Sequence, residues 1–336
     1  MMLVVHIAIF ITTIISMNHS YMFRNNLKAF SCWLGRSQAK SFATSKLSQY
    51  NDVISSDANE KIKIVRSLKD KKNRDYYNLV LLEGYRHIND ALAFGITPKH
   101  ILISQSALAR KEGNELYEKL LGNALIVKDS IMNSLCETVT SQGVLATFEK
   151  PSSLLDIPIR KDSSGPIVIL DRLADPGNVG TIIRSCYGLG VSAMIFITGG
   201  CDIWSPKVVR SSMGLSLNRN MPLLELTWSQ TNSCISKYRD RIFSKEGSNT
   251  EKELQILLAD GEDNNLSYES VDFTIPTVLV IGSEATGVSN EARSLRGVLS
   301  NIRIPMVRQL ESFNAAMAGS IILAEAARQR RVDAKK

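Results

Sequence analysis

Short apolar runs alternate with polar segments of helical length along most of this chain, and this pattern predicts a protein of alternating strands and helices. In the first half, the runs that predict strands are Leu79–Leu82, His100–Ser104, Ala124–Val127 and Val144–Thr147. Residues 85–94 have helical periodicity and end at Gly95, and residues 130–135 predict a second, shorter helix. We therefore expect a small α/β module over residues 60–150.

The same alternation resumes after residues 151–165, a stretch rich in turn-forming residues that predicts a linker. The next runs that predict strands are Ile167–Leu170, Ala193–Ile197, Val278–Ile281 and Asn301–Ile304. Because these runs are apolar throughout, we expect a mostly parallel sheet covered on both faces, within a second domain over 166–332. Residues 171–180 are predicted to be a loop and 181–187 a helix. The polar stretch 229–268 is expected to hold one short element, helix or strand, near residues 253–259.

Residues 1–50 differ from the rest in composition. They contain no Asp or Glu, and their basic residues stand among Ser, Asn, Phe and Leu. From residue 22 onward this composition predicts a mitochondrial targeting leader. The apolar run over residues 1–16 is short for a membrane span and lacks preceding basic residues, so secretion or anchoring is the weaker alternative and no membrane association is expected.

The net charge is compatible with an RNA partner, and the cysteine spacing argues against a metal site or a disulfide framework. Forty Lys and Arg against 33 Asp and Glu give a formal charge of +7, which suits an RNA partner but equally describes a solvated basic surface. Residues 61–74 carry seven basic residues and one acidic residue, an arrangement that suits either a solvated helix face or phosphate contact. The five cysteines are widely spaced and none forms a CxxC pair, so neither a metal site nor a disulfide framework is predicted.

Three motifs in the second half carry the candidate chemistry. The first is Asp175-Pro-Gly-Asn178-Val-Gly180, followed by Arg184; the second is Ile281-Gly282-Ser-Glu284-Ala-Thr-Gly287; the third is Ile304-Pro-Met306, followed by Ser312-Phe313-Asn314. Their glycines let backbone approach a ligand, and a strand end such as 304–306 offers unpaired backbone groups to one. The stretch 188–193 also matches the dinucleotide pattern GxGxxA. It joins a predicted helix to a strand, so we interpret it as a helix C-terminal turn and not as an NAD site.

Together the three motifs, in this order, resemble the SpoU/TrmH family of the SPOUT class, the RNA ribose 2′-O-methyltransferases. The segments 82–84 and 138–146 resemble the substrate-binding domain that precedes the catalytic domain in many members. The resemblance implies a mostly parallel catalytic sheet with a trefoil knot, S-adenosylmethionine as methyl donor, a homodimer, and no metal.

The resemblance also implies roles for individual residues. Carried over position by position, the catalytic set is Arg184, Asn178, Glu284, Ser312 and Asn314, and the cofactor contacts are Gly282, Ile304, Met306 and Phe313. Phe313 departs from the leucine usual in the family. Arg184 is implied as the acceptor of the ribose proton; since a guanidinium has only donors, an orienting role is the alternative.

The implied activity is ribose 2′-O-methylation of RNA, and the leader favours a guanosine of mitochondrial large-subunit ribosomal RNA as its target. Transfer RNA is the alternative substrate. Two other hypotheses stay open: an inert RNA-binding factor in ribosome assembly, and a methyltransferase that modifies a base nitrogen. Locating the methyl group on sugar or base distinguishes the last of these.

Overall fold

The structure is a computed structural model that describes residues 53–120, 123–152, 154, 156–157, 165–243, 254–261, 265–283, 286–308 and 312–335. The predicted leader, residues 1–50, lies outside this range, as do most residues of the predicted linker.

The first half forms a four-stranded sheet with helices around it. Its elements are α1 Glu60–Ser67, α2 Lys71–Tyr77, β1 Leu79–Glu83, α3 Tyr85–Ala93, β2 Pro98–Ser104, α4 Gln105–Leu108, α5 Lys111–Lys119, β3 Leu125–Val127, α6 Asp129–Leu135 and β4 Val144–Glu149. The strand order is β1-β4-β2-β3. Strands β1 and β2 run antiparallel to β4, and β3 runs parallel to β2. The four predicted strands and two predicted helices of this half are confirmed.

The second half forms a seven-stranded sheet. Its elements are β5 Ile167–Leu170, α7 Pro176–Gly188, β6 Ala193–Ile197, α8 Pro206–Ser211, β7 Leu223–Leu226, α9 Trp228–Phe243, β8 Gln255–Ala259, β9 Leu266–Ser267, β10 Thr277–Ile281, α10 Asn290–Arg293, β11 Val298–Arg303 and α11 Ala315–Asp333. Every pair of neighbouring strands is parallel. All residues of β5, β6 and β10 are buried, as expected for a parallel sheet covered on both faces. The predicted parallel α/β fold is confirmed.

The order of the strands creates a crevice. The order across the sheet is β7-β6-β5-β10-β8-β11-β9, so β10 lies between β5 and β8. Strands β5 and β10 are neighbours although 106 residues lie between Leu170, the last residue of β5, and Thr277, the first of β10. Ligands of open parallel sheets bind outside the carboxyl ends of strands where the strand order reverses. Here that place is the carboxyl end of β5 and β10, where the first two motifs begin. The trefoil knot stays a prediction.

Two sequence predictions were wrong. Helix α7 begins at Pro176 rather than at Thr181, because Pro176 suits the first helical position and the Asp175 carboxylate accepts a hydrogen bond from the Asn178 N–H at 2.8 Å. Asn178 therefore lies in the first turn of a helix and not in a loop. The polar stretch after residue 228 begins with the helix α9, which buries Trp228, Thr231, Cys234, Ile235 and Tyr238.

Two other interpretations of the sequence agree with the structure. The GxGxxA stretch is the end of α7: the helix stops at Gly188, and Gly190 has a left-handed φ of +76°. The element expected near residues 253–259 is the strand β8.

A cleft at the carboxyl edge of the parallel sheet

The second and third motifs enclose a cleft of about 330 Å³. It lies among the carboxyl ends of β8, β10 and β11 and the start of α11. Among the residues of the cleft wall are five that the sequence singled out, namely Gly282, Ile304, Met306, Ser312 and Phe313. Phe313 is 37% exposed, so its ring is a partly open wall of the cleft.

One wall is a tight turn that joins β10 to α10. The N–H of Ser283 donates to Gly287 O at 3.1 Å, and the N–H of Gly287 donates to Ser283 O at 2.9 Å. A Cβ on Gly282 would lie 2.3 Å from the carbonyl carbon of Gly287, and Gly287 has φ +64°, so both positions require glycine. The turn therefore presents backbone rather than side chains to a ligand at these two positions. Glu284, predicted to be catalytic, lies outside the described residues.

The rest of the cleft suits the adenosine part of S-adenosylmethionine. Its walls include the apolar side chains of Ile281, Ile302, Ile304 and Met306. Residues 304–306 follow the last residue of β11, and Ile304 and Met306 line the cleft at its edge. Asp260, directly after β8, adds a carboxylate that pairs with Arg293 at 2.7 Å. An apolar slot with backbone groups and a few polar side chains is the usual environment of a nucleoside ligand, and the volume falls in the usual range of about 300–1,000 Å³.

The first motif meets the third at the edge of this cleft. Asn314, the N-cap of α11, accepts hydrogen bonds from the N–H groups of Ala316 and Met317 at 3.0 and 3.3 Å. Its amide nitrogen donates to Asn178 Oδ1 at 3.0 Å. Two predicted site residues are thus joined directly, one residue beyond the cleft wall formed by Ser312 and Phe313.

Arg184 is placed differently from the other predicted residues. It is exposed on α7, six residues after Asn178, which corresponds to about 9 Å along a helix axis. It does not belong to the wall of the cleft. The predicted catalytic residues that the structure describes therefore lie in three places within one chain. Ser312 is in the cleft wall, Asn178 and Asn314 pair at its edge, and Arg184 lies farther along α7.

Asp171 is a residue of this region that sequence reasoning missed. It follows β5 directly, is 2% exposed, and accepts a hydrogen bond from the N–H of Ser289 at 2.8 Å. Its other oxygen is buried without a hydrogen-bond partner among the described residues. The next residue, Arg172, has φ +57° and pairs with Glu291 at 2.8 Å. Asp171 and Arg172 therefore connect the end of β5 to Ser289 and Glu291, which follow the glycine turn. A carboxylate directly after an apolar strand is the sequence signal that could have identified Asp171.

Lys207 and Arg210, which lie in α8, have carboxylate partners inside the protein. Lys207 lies 3.9 Å from Asp175, and Arg210 lies 3.8 Å from Glu137 and 4.0 Å from Glu83. The N-cap of α8 is Ser205, whose side chain accepts from the N–H of Val208.

The described part of the chain has neither a cluster of metal-binding side chains nor a helix that could span a membrane. It contains no group of three or more His, Cys, Asp or Glu side chains arranged to hold a metal ion. No helix in it has the length and apolar character needed to cross a membrane.

The fold and cleft define the class: a parallel α/β enzyme that binds a nucleoside-containing ligand at the carboxyl edge of its sheet. Comparison with known proteins specifies the family. The SpoU rRNA Methylase family model matches residues 165–324, and the MRM3-like substrate binding domain matches residues 59–146.

Individual relatives agree with the family models. The human mitochondrial rRNA methyltransferase 3 is 31% identical over 306 residues, which cover 80% of this chain and 72% of the relative. The 23S rRNA (uridine(2479)-2′-O)-methyltransferase of Streptomyces viridochromogenes is 31% identical over 74% of this chain and 83% of that protein. The crystal structure of the SpoU methyltransferase AviRb from the same organism, in complex with AdoMet, superposes with a TM-score of 0.64 at 29% identity, covering 82% of this chain and all of that one.

The chain therefore belongs to the SpoU rRNA methylase family. It is an RNA 2′-O-methyltransferase, and its cofactor is S-adenosylmethionine.

Proposed function

We propose that this protein methylates the ribose 2′-hydroxyl of a guanosine in mitochondrial large-subunit ribosomal RNA. The acid-free composition of residues 1–50 and the similarity to the mitochondrial human relative support the compartment. The 23S rRNA (guanosine(2553)-2′-O)-methyltransferase RlmP of Bacillus subtilis, 25% identical over 80% of this chain and 97% of the relative, supports guanosine. The Streptomyces relative modifies a uridine, so identifying the methylated nucleoside is part of the test.

The hydrogen bond between Asn314 and Asn178 is the observation that carries the ribose-methylation part of this proposal. It brings the first motif to the edge of the cofactor cleft, so a ribose bound there would meet both the cleft and α7. Bound S-adenosylmethionine supplies an electrophilic methyl group. In our proposal the backbone of residues 304–306 and of Gly282 binds its adenosine part, and Phe313 covers it.

The proposed role of the remaining residues is to position the attacking ribose oxygen. A guanidinium has only donors, and Arg184 is exposed. We therefore assign to Arg184 the binding of the ribose oxygen or its phosphate, in preference to accepting the proton, which solvent takes up as the oxygen receives the methyl group. Asn178, Asn314 and Ser312 hold the ribose in line with the methyl group, and Glu284 arranges the RNA or Arg184. Holding two reactants in line is the main contribution that an enzyme makes to such a transfer.

Transfer of a tritiated methyl group from S-adenosylmethionine to mitochondrial total RNA and to transfer RNA tests this function. The variants are Arg184→Ala and, as control, Arg239→Ala, which removes a partly exposed arginine of α9 that pairs with Asp240 and belongs to none of the three motifs. We expect 2′-O-methylguanosine in one large ribosomal RNA, made by wild type and by the control but not by Arg184→Ala. Methylation of transfer RNA, or of a base nitrogen, would replace the proposed substrate; no incorporation with RNA binding intact would support an inert assembly factor.

We also propose that the protein is a homodimer that joins through α7 and α11. Ser185 on α7 and Ser320 on α11 are hydrogen-bonded at 2.7 Å, which fixes the two helices side by side. Next to this joint α7 carries exposed Arg184, and α11 carries Met317 with 56% of its surface exposed. A second copy on this surface would cover Met317 and place Arg184 at an interface rather than in solvent.

A further inference from the structure

Residues 201–214, which we name the docking segment, are one place where the two halves of the chain meet; Lys71 also pairs with Glu225 at 3.4 Å. The docking segment contains α8 and belongs to the methyltransferase half. A Cβ on Gly214 of this segment would lie 3.2 Å from Leu82 Cδ2 and 3.7 Å from Ala91 Cβ, both in the first half. The apolar part of the interface is therefore packed closely enough to set a single orientation of β1 and α3 on the docking segment.

A buried arginine from the first half enters the docking segment. Arg74 on α2 is 3% exposed and its guanidinium pairs with the carboxylate of Asp202. The same guanidinium donates to Leu68 O and Lys69 O at 2.7 and 2.6 Å, so the backbone between α1 and α2 also holds it in place. Asp202 is held as well, since its other oxygen accepts from the N–H of Trp204 at 3.0 Å. A planar guanidinium bound by three acceptors has little freedom to turn, so this pair fixes direction as well as distance.

In a second ionic contact the arginine belongs to the docking segment and the carboxylates belong to the first half. Arg210 of the docking segment faces Glu83 and Glu137 of the first half at 4.0 and 3.8 Å. Glu83 is 8% exposed and accepts from the N–H of Glu137 and the N–H and hydroxyl of Thr138. The Arg210 contact thus rests on the loop after α6, and the Arg74 contact rests on α2. Because the two contacts lie on different elements, they hold the first half against rotation relative to the docking segment, whereas a single contact would leave that rotation free.

The docking segment also supports the helix that carries the first motif. The hydroxyl of Ser211 donates to Pro176 O at 3.0 Å, and a Cβ on Gly180 would lie 1.9 Å from Ser211 Oγ. Lys207 adds an ion pair with Asp175, the N-cap of α7, at 3.9 Å. One short segment therefore contacts the substrate-binding half on one side and α7, with Asn178 and Arg184, on the other.

We propose that Arg74 and Asp202 are positioning residues for methyl transfer. They hold the half of the chain that matches a substrate-binding domain at a set distance and angle from α7, so that bound RNA presents one ribose to the cleft. The inference rests on the proposed function, because it requires that RNA binds the first half. It assigns no direct contact with RNA or cofactor to either residue.

Asp202→Asn is the main test variant, because it removes the charge that faces Arg74 and keeps an oxygen for the Trp204 N–H. Asp240→Asn is the matched control, since Asp240 forms an exposed pair with Arg239 at 3.1 Å on α9. Arg74→Lys is the second variant; it keeps the buried positive charge but not the fork that serves three acceptors. For each protein, kcat on ribosomal RNA, the dissociation constants for RNA and for S-adenosylmethionine, and the position of the methyl group are measured.

For Asp202→Asn we expect kcat to fall at least about tenfold, as displacement of a reacting group does, with some methyl moved to neighbouring riboses. Affinity for S-adenosylmethionine and for RNA stays within about twofold of wild type. Arg74→Lys shows a smaller fall, and Asp240→Asn none. Wild-type kcat and wild-type site selection in Asp202→Asn would overturn the inference, as would a fall in kcat matched by an equal loss of cofactor affinity, which indicates general loss of structure. Absence of methyl transfer by wild-type protein would instead count against the proposed function.

Discussion

Asn314 shows how one side chain serves both the fold and the site. Its oxygen caps α11 by accepting from two backbone N–H groups, and its nitrogen donates to Asn178. Serine or aspartate would cap the helix equally well, but neither carries an NH2 group in addition to the capping oxygen. The choice of asparagine at this position therefore follows from the contact with Asn178 rather than from the helix.

Two substitutions separate these roles. Asn314→Ala removes the cap and the amide, so we expect the free energy of unfolding to fall by about 1 kcal/mol and methyl transfer to fall with it. Asn314→Asp keeps the capping oxygen, so stability stays near wild type while methyl transfer still falls, because an oxygen then faces Asn178 Oδ1. Urea unfolding and methyl transfer are measured on both. Full activity in Asn314→Asp would show that the amide pair is dispensable.

The cysteines give a prediction about reactivity. Burial raises the pKa of the Cys136 and Cys201 thiols to about 11, and burial raises the pKa of Cys186 as well. The thiolate is the reactive form, so a raised pKa leaves only about one thiolate in a thousand at pH 8. We expect iodoacetamide at pH 8 to label these cysteines much more slowly in the native protein than in urea, as measured peptide by peptide by mass spectrometry. Equal rates in the two conditions would contradict the burial.

Among the elements, the turn after β10 is the one most constrained by close approach. Gly282 and Gly287 face each other across it, and Asp171 and Arg172 hold the segment that follows. The turn is thus fixed from two sides, and its backbone is available to the cleft without adjustment. Such preorganisation reduces the free energy lost on binding a ligand.

Gly282→Ala tests this element. The added Cβ would lie 2.3 Å from the Gly287 backbone, so the turn must open, and we expect affinity for S-adenosylmethionine to fall at least about tenfold. Gly188→Ala is the control, because no atom lies within 4 Å of its Cβ position. It should change the free energy of unfolding by less than about 1 kcal/mol and leave cofactor affinity as in wild type. Isothermal titration calorimetry measures both; unchanged affinity in Gly282→Ala would mean that the turn does not bind the cofactor.

Helix α7 begins at a residue whose local sequence signal is strong. The sequence Asp175-Pro176 is a helix start by ordinary criteria, an N-cap acceptor followed by proline at the first position. Gly177 and Gly180 are typical of a loop, and for that reason the predicted helix begins only at Thr181. Gly180 is glycine for another reason, which is the contact with Ser211 on a neighbouring element.

For the whole molecule, the proposed dimer makes a simple prediction. Met317→Glu places a charge on the surface beside the Ser185–Ser320 joint, where burial against a second copy would cost free energy. We expect light scattering after gel filtration to give a dimer mass for wild type and a monomer mass for Met317→Glu. Val139→Glu, a substitution at a fully exposed loop position of the first half, should stay dimeric. A monomeric wild type would refute the dimer.

Most of the strands and three of the helices were predictable because their signals are local. Runs such as Ile167–Leu170 and Ala193–Ile197 are apolar at every position, and only a strand buried on both faces requires that. The glycines of the second motif, the strand end at residues 304–306 and the spacing of the first motif could likewise be recognised from short stretches. For the same reason the family could be recognised from the sequence, since its motifs are short and ordered.

The neighbours of each strand and the partners of each polar side chain were not predictable in this way. The insertion of β10 between β5 and β8 joins distant parts of the chain, as do the contacts of Asn314 with Asn178, of Asp171 with Ser289 and of Arg74 with Asp202, which span 136, 118 and 128 residues. Nothing local distinguishes Arg74 from the other basic residues of 61–74, yet it alone among those seven is buried. Partners so far apart in sequence meet only once the strands have assembled into the sheet. The direction of the chain and the packing of its elements, rather than local preference, decide which side chains become neighbours.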